Sequence, residues 1–245
     1  MTRAVILGAG SGERLRPLWD RPKGLLPFGG ETLVQRSLRL LRGAGIGRFA
    51  LAVGYRADEY RRALRDEPGV ELVEVPEFAT GGSMASLARV LERVDPPFLL
   101  LESDLVYEAR ALEPLLREPD EDAVLVSGPT HAGDEVWAEA DGEGRLRRLS
   151  KDPAAAASPA IAGEFVGISR ISAGMRAPLL AAAAEIGAAG GPVAYDTDAL
   201  SAAAAHRRVA VHRIADLLWA EIDGASHLRR ATGLLAGALA AREGR

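Results

Sequence analysis

Apolar residues follow two different rhythms along this chain. Positions 4–7 (Ala-Val-Ile-Leu) form a short continuous apolar run that stops at Gly8. That is the pattern of a strand buried on both faces of a parallel sheet. Stretches 49–53, 70–75 and 98–101 repeat it. Between them the spacing changes. In 32–42, Leu33, Val34, Leu38, Leu40 and Leu41 share one side of an α-helix, and Gly43 follows as a stop signal. Stretch 57–65 reads as a charged surface helix and 83–94 as a further helix. Strands alternating with helices in this way predict right-handed crossovers and a sheet covered on both faces. Beyond residue 125 the elements shorten. Strands are expected at 123–126, 135–140, 146–149 and 164–169. An Asp141-Gly142-Glu143-Gly144 turn joins the second to the third. Residues 151–163 read as a loop, 173–188 and 197–206 as alanine-rich helices, and 209–213 and 219–222 as extended. A stripe of Leu228, Ala231, Leu234, Leu235, Ala238 and Leu239 predicts a last helix over 226–241. No repeat or long linker divides the chain. The expectation is one α/β domain over 1–245, its halves meeting near 125.

Composition narrows the function classes. The 245 residues are 48% hydrophobic and 26% charged, enough for one substantial core. A net charge of −4 argues against a general nucleic-acid coat, while leaving room for a local basic pocket. Cysteine is absent, which removes disulfides, thiolate metal sites and a cysteine nucleophile. The four histidines, at 131, 206, 212 and 227, have no zinc-site spacing. The N-terminus lacks the layout of a signal peptide and no stretch reaches membrane-spanning length. The expectation is a cytoplasmic protein without nucleic-acid or membrane partners.

The first candidate chemistry lies in the loop after the first strand, Leu7-Gly8-Ala9-Gly10-Ser11-Gly12-Glu13-Arg14. Its glycines let backbone N–H groups approach a phosphate. A dinucleotide fingerprint needs glycine at position 13, and a P-loop needs Gly-Lys-Ser/Thr. Neither is present, and Pro17 and Pro22 interrupt any helix that would follow. The loop instead carries Arg14, Arg16 and Lys23, cations suited to a polyphosphate. Taken alone, the glycines are as easily a plain surface turn.

A second constellation comes from carboxylates far apart in the chain. Asp104 follows the 98–101 strand, at the edge where parallel sheets bind ligands. Glu221 and Asp223 are two apart, so they share one face of an extended segment. Hard oxygen ligands of this kind suit Mg²⁺, which also takes phosphate oxygens. Taken singly, Asp104 and Asp223 are more often explained as helix caps; taken with the N-terminal loop, the metal reading is the better one.

Together these segments resemble the L-A-A-G-x-G-x-R-L-x-P…P-K-x-L signature of the nucleotidyltransferase family that makes NDP-sugars and CDP-alcohols. Gly8 and Gly24 depart from it, where alanine, and proline or alanine, are usual. The resemblance implies a Rossmann-like three-layer sandwich with a mostly parallel mixed sheet, the GT-A-like fold. It implies a nucleotide-binding half over about 1–125 and an acceptor-binding half over about 126–245. Leu7, Gly8, Ala9, Gly10, Ser11, Gly12, Arg14, Lys23 and Ser103 would then hold the nucleotide. Arg14 and Lys23 would serve as catalytic cations, and Asp104 and Asp223 as ligands of the Mg²⁺ cofactor.

Later segments resemble the phosphocholine and phosphonate cytidylyltransferase branch. Thr80-Gly81-Gly82-Ser83-Met84-Ala85-Ser86-Leu87 is similar to its T-N-x-x-x-S-L segment, with glycine in place of asparagine. This implies that Thr80, Gly82, Ser83 and Ser86 meet the base. Gly163-Glu164-Phe165-Val166-Gly167-Ile168-Ser169-Arg170-Ile171-Ser172, Tyr195-Asp196 and Trp219-Ala220-Glu221-Ile222-Asp223 resemble branch motifs. They imply an acceptor site of Lys151, Glu164, Tyr195, Asp196 and Glu221. The implied partners are CTP and a small phosphonate or phosphorylated alcohol, with a homodimer left open. A sugar-1-phosphate nucleotidylyltransferase using another NTP stays open as an alternative, as does a silent nucleotide-binding regulatory domain.

Overall fold

The computed structural model describes residues 3–118, 120–152, 160–189 and 193–244. Its first strand, β1 (Arg3–Gly8), is buried along almost its whole length. A short hairpin, β2 (Pro27–Phe28) and β3 (Glu31–Thr32), leads into α1 (Leu33–Gly43). That helix begins where Thr32 and Gln35 form a reciprocal capping box. Thr32→Ala removes one half of the box, worth about 1 kcal/mol. For a chain of this size the melting temperature is expected to fall by about 2–4 °C, measurable by calorimetry.

The alternation then continues with β4 (Phe49–Val53), α2 (Ala57–Ala63), β5 (Val70–Glu74), α3 (Gly82–Leu91) and β6 (Phe98–Glu102). The second half contains β7 (Leu105–Tyr107), α4 (Glu113–Arg117), β8 (Asp122–Ser127), β9 (Trp137–Ala140), β10 (Leu146–Ser150) and β11 (Ala160–Ile171). It closes with α5 (Arg176–Ala189), α6 (Asp196–Ala204), β12 (Val209–Ile214), β13 (Trp219–Glu221), α7 (Ala225–Arg230) and α8 (Ala236–Arg242).

Nine strands form one mixed sheet in the order β10-β9-β11-β6-β1-β4-β5, with β8 pairing β11 and β12 pairing β8. The strands β6, β1, β4 and β5 run parallel, and β11 runs antiparallel to β6, β8 and β9. One apolar layer packs α3, α5 and α6 against one face; a second packs α1, α2 and α4 against the other. This is the expected α/β sandwich. It brings the carboxyl ends of β1 and β6 side by side, pairing Leu7 with Glu102. The N-terminal loop and Asp104 therefore leave the sheet at the same edge, where open α/β sheets bind ligands.

Three expectations are corrected. The loop expected over 151–163 gives way to strand at Ala160, and β11 runs on to Ile171. Alanine-rich sequence there pairs with β9 at Ala160 and Ile161, so ladder bonding overrides weak local propensity. Residues 153–159 of that loop lie outside the described residues. The single helix expected over 226–241 is α7 and α8 joined by a π-helical turn, Ala231–Leu235. Asp104 and Asp223 cap no helix. Strand β7 follows the first, and Gly224 stands at the N-cap of α7 without a side-chain cap. Among the described residues no helix is long and apolar enough to cross a membrane.

Candidate active site

The N-terminal loop leaves β1 and turns back through Leu15 N–H to the Gly12 carbonyl (2.9 Å) and Trp19 N–H to the Leu15 carbonyl (2.9 Å). Gly12 sits at φ +61°, and a Cβ there would come within 2.8 Å of the Lys23 side chain. Glycine at 12 thus lets the aliphatic stem of Lys23 lie against the loop. Lys23 opens a single 3₁₀ turn, Lys23–Leu25, and its ammonium points to the carboxyl edge of the sheet.

There it meets two aspartates from distant parts of the chain. Lys23 Nζ pairs with Asp104 and, at 2.6 Å, with Asp223 Oδ1. The second guanidinium nitrogen of Arg14 pairs with Asp223, and the first with Asp134 Oδ2 at 2.6 Å. Two structural contacts fix the spacing of the aspartates. Strands β7 and β13 pair antiparallel from Leu105–Glu221 to Tyr107–Trp219, and Ile222 N–H donates to the Asp104 carbonyl at 3.0 Å. A backbone zipper thereby joins the two carboxylate segments.

Glu102, Asp104 and Glu221 present carboxylate oxygens that all lie within 4.8 Å of one another. So many acids in a poorly solvated place oppose ionisation. Burial raises Asp104, with Lys23 pulling it back and Asp223 adding to the rise. Burial, and then the neighbouring acids, push Glu102 and Glu221 well above the usual carboxylate range. Asp223 is the exception. Burial works against it too, but Lys23, Glu221 and Arg14 hold it well below its ordinary value. The oxygen set is hard, anionic and compact, and an ammonium already sits among it. These residues fit a divalent cation such as Mg²⁺.

Beside this cluster opens a pocket lined by Glu102, Glu135, Glu164, Trp219, Glu221 and Arg230, among others. Glu164 accepts from the Thr130 hydroxyl at 2.8 Å and from its N–H. Burial raises the Glu164 carboxyl despite those bonds. Arg230 of α7 donates to the Thr130 carbonyl, and His227 Nε2 lies 3.5 Å from Asp134 Oδ1. His227 Nδ1 accepts the Asp223 N–H at 3.3 Å, which leaves Nε2 as the protonated nitrogen facing Asp134. The arm over residues 128–136 is thus tied to Arg14, Glu164 and α7 together.

Of the residues singled out in the sequence, Leu7, Gly8, Ala9, Gly10, Ser11, Gly12, Arg14, Lys23, Ser103, Asp104, Glu221 and Asp223 gather at this edge, with Glu164 across the pocket. Ser103 is fixed there by its N–H to the Leu7 carbonyl at 3.2 Å. Thr80, Gly82 and Ser83 lead into α3; Thr80 turns its hydroxyl to the Glu77 carbonyl at 3.4 Å, while Gly82 and Ser83 stand against the 193–196 stretch. Ser83 Oγ donates to Asp196 Oδ1 at 2.7 Å and accepts the Asp196 N–H at 3.0 Å. Ser86 is buried and turns back to the Gly82 carbonyl at 3.5 Å. The Lys151 ammonium stands 5.9 Å from the centre of the exposed Tyr195 ring, a cation–π contact. Sequence reasoning did not single out Thr130, Asp134, His227 or Arg230 as site residues. They lie on an irregular arm and on a helix read only for its apolar stripe, so no periodicity or spacing marks them.

The model of the MobA-like NTP transferase domain family matches residues 4–215. The CMP-5′-(3-aminopropyl)phosphonate synthase of Streptomyces rubellomurinus is 36% identical over 57% of this chain and 23% of its own. The mannose-1-phosphate guanyltransferase of Emericella nidulans is 31% identical over 71% of this chain and 48% of its own. The chain thus spans about a quarter to a half of the length of these curated relatives. Among solved structures, the inositol-1-phosphate CTP transferase of T. maritima superposes with a TM-score of 0.79 at 22% identity, covering 98% of this chain and 96% of that one. The CTP:phosphocholine cytidylyltransferase of Streptococcus pneumoniae gives 0.77 at 20% identity, covering 96% and 99%. At such identities the likeness shows the fold.

Proposed function

Since the chain belongs to the family of MobA-like NTP transferase domains, we propose that it transfers CMP from CTP to a small phosphonate or phosphorylated alcohol. The observation that carries this reading is the convergence of Arg14, Lys23, Asp104 and Asp223 at one sheet edge, beside a pocket rich in carboxylates. An oxygen of the acceptor's phosphonate or phosphate attacks the α-phosphorus in line. One phosphorus–oxygen bond forms to the acceptor, and the bond to the departing pyrophosphate breaks.

The attacking oxygen is already anionic, so no protein base or nucleophile is required. Catalysis rests on positioning and charge neutralisation. Backbone N–H groups of Ala9–Gly12 cradle the phosphates, Lys23 faces the reacting phosphorus and Arg14 the leaving pyrophosphate. Asp104 and Asp223 hold Mg²⁺, which when bound neutralises phosphate charge. Thr80, Gly82, Ser83 and Ser86 border the base. Lys151 reaches the acceptor's phosphorus oxygens, and Glu164, Tyr195, Asp196 and Glu221 border its head group. The acids lining the pocket favour an acceptor bearing an ammonium, as in the name of the S. rubellomurinus relative.

The experiment is pyrophosphate release with each of the four NTPs against a panel of acceptors. The panel contains ω-aminoalkylphosphonates, phosphocholine and hexose 1-phosphates. CTP with an aminoalkylphosphonate is expected to exceed every other pair by about tenfold or more in kcat/KM, as expected when a buried charge partner is lost. The guanylyltransferase relatives support a second reading, GTP with a sugar 1-phosphate. A preference for that pair overturns the first.

A further inference from the structure

Gly8 and Gly24, the two departures from the resembling signature, face a single atom. The Tyr60 ring rises from α2 into the cluster of Ile6, Leu25, Leu51 and Val53. Its hydroxyl ends between the two glycines. A Cβ on Gly8 would lie 2.9 Å from that oxygen, and a Cβ on Gly24 only 2.5 Å. Tyr60 is fully buried. Burial pushes the phenol up, and the polar groups turned towards it are Ser103 and the Gly24 backbone, with Asp104 and Lys23 beyond.

A buried hydroxyl must be bonded to offset its desolvation, and phenylalanine would fill nearly the same volume without that demand. The chain nevertheless keeps the oxygen, and keeps bare backbone at two positions of the phosphate loop to seat it. We propose that Tyr60 is a positioning residue for Lys23. Its hydroxyl is a spacer wedged between β1 and the Lys23–Leu25 turn, held against Gly24 and Ser103. The height of the ammonium above the sheet edge is set by this contact.

The inference rests on the nucleotidyl-transfer reading, and its test separates the two. Tyr60→Phe, Gly24→Ala and the double variant are compared with the wild type in kcat, KM for the NTP and melting temperature. Tyr60→Phe is expected to melt within about 4 °C of the wild type, keep KM within about twofold and lose about tenfold in kcat, the signature of a misplaced catalytic group. Gly24→Ala is expected to lose about 100-fold, because its methyl meets the hydroxyl. In the double variant the methyl replaces the oxygen as spacer, with the ring carbon 3.3 Å away. It is expected to regain about tenfold over Gly24→Ala, a coupling that independent sites do not show.

Wild-type kcat in Tyr60→Phe overturns the proposal. So does a kcat loss matched by a fall in melting temperature larger than about 4 °C, or a double variant no better than Gly24→Ala. A wild type that releases no pyrophosphate from any NTP overturns the transfer reading instead. The melting cycle then still decides the spacer, since additive shifts overturn it.

Discussion

Asp104→Ala is expected to lower turnover by about 10³-fold or more, because the reacting phosphates lose the carboxylate that anchors their counter-charge. The argument runs through what stays in place. Asp104 is buried beside Glu102 and Glu221, and burial already works against its ionised form. Removing it relieves part of that crowding, and Lys23 keeps Asp223 as a partner at 2.6 Å. The zipper of β7 with β13 is made by backbone and survives the substitution. The variant should therefore fold, with a melting temperature within about 3 °C of the wild type. Activity and stability are thus expected to separate. Near-normal turnover in a folded Asp104→Ala protein would sink the metal-ligand role.

Lys23→Ala should do the opposite and strike both. The ammonium pairs with both Asp104 and Asp223, and lowers Glu102 and Glu221 as well. Breaking a buried ion network from one side costs about 3–5 kcal/mol. That corresponds to a loss of about 10 °C in melting temperature at neutral pH. The sign of the pH dependence follows from the raised carboxyls. Glu102, Asp104 and Glu221 have folded-state pKa values above their unfolded ones, so the folded state binds more protons. Their contribution is favourable at low pH and is lost as pH rises through the raised values. Removing Lys23 raises them further, so the melting deficit should shrink as pH falls from 8 towards 5. Millimolar Mg²⁺ should restore the variant more than it raises the wild type, because a ligand bound only by the folded state stabilises it. A deficit independent of both pH and Mg²⁺ would show that Lys23 does not neutralise this cluster. Turnover is expected to fall by about 10³-fold in the same variant.

The first half of the fold was legible because buried parallel strands are written as unbroken apolar runs. Residues 49–53 were bounded correctly, and 4–7, 70–75 and 98–101 to within a residue or two. Strand β11 was read at only half its length. Its early residues, Ala160 to Gly163, have no β-branched or aromatic signature beyond Ile161, and partner strands alone make them extended. The hairpin at Pro27–Phe28 and Glu31–Thr32, and the strand Leu105–Tyr107, are too short for any period to appear. For the site, Arg14, Lys23, Asp104 and Asp223 were nameable because charged residues following buried strands or glycine turns stand out. Asp134 and His227 were not. The place of Asp134 beside Arg14, 120 positions away in sequence, and beside His227 is created by long-range folding. Tyr60 sits in a helix read only as a charged surface, and its inward side was a single residue.

Strand β11 carries one more consequence. Its first residues pair with β9, its last with β6, and β8 lines its other edge across a bulge. One unbroken length of backbone is therefore stitched to the strand that supplies Glu102 and to the strands that wall the acceptor pocket. On the proposed reading, discrimination between acceptors would fall to the arm over 128–136, which is tied to Arg14, Glu164 and α7. A tool with a fixed handle and an exchangeable tip acquires new acceptors by rewriting a few residues of that arm. On that reading the sheet edge would stay as it is, and grafting this arm between relatives is expected to change the acceptor range.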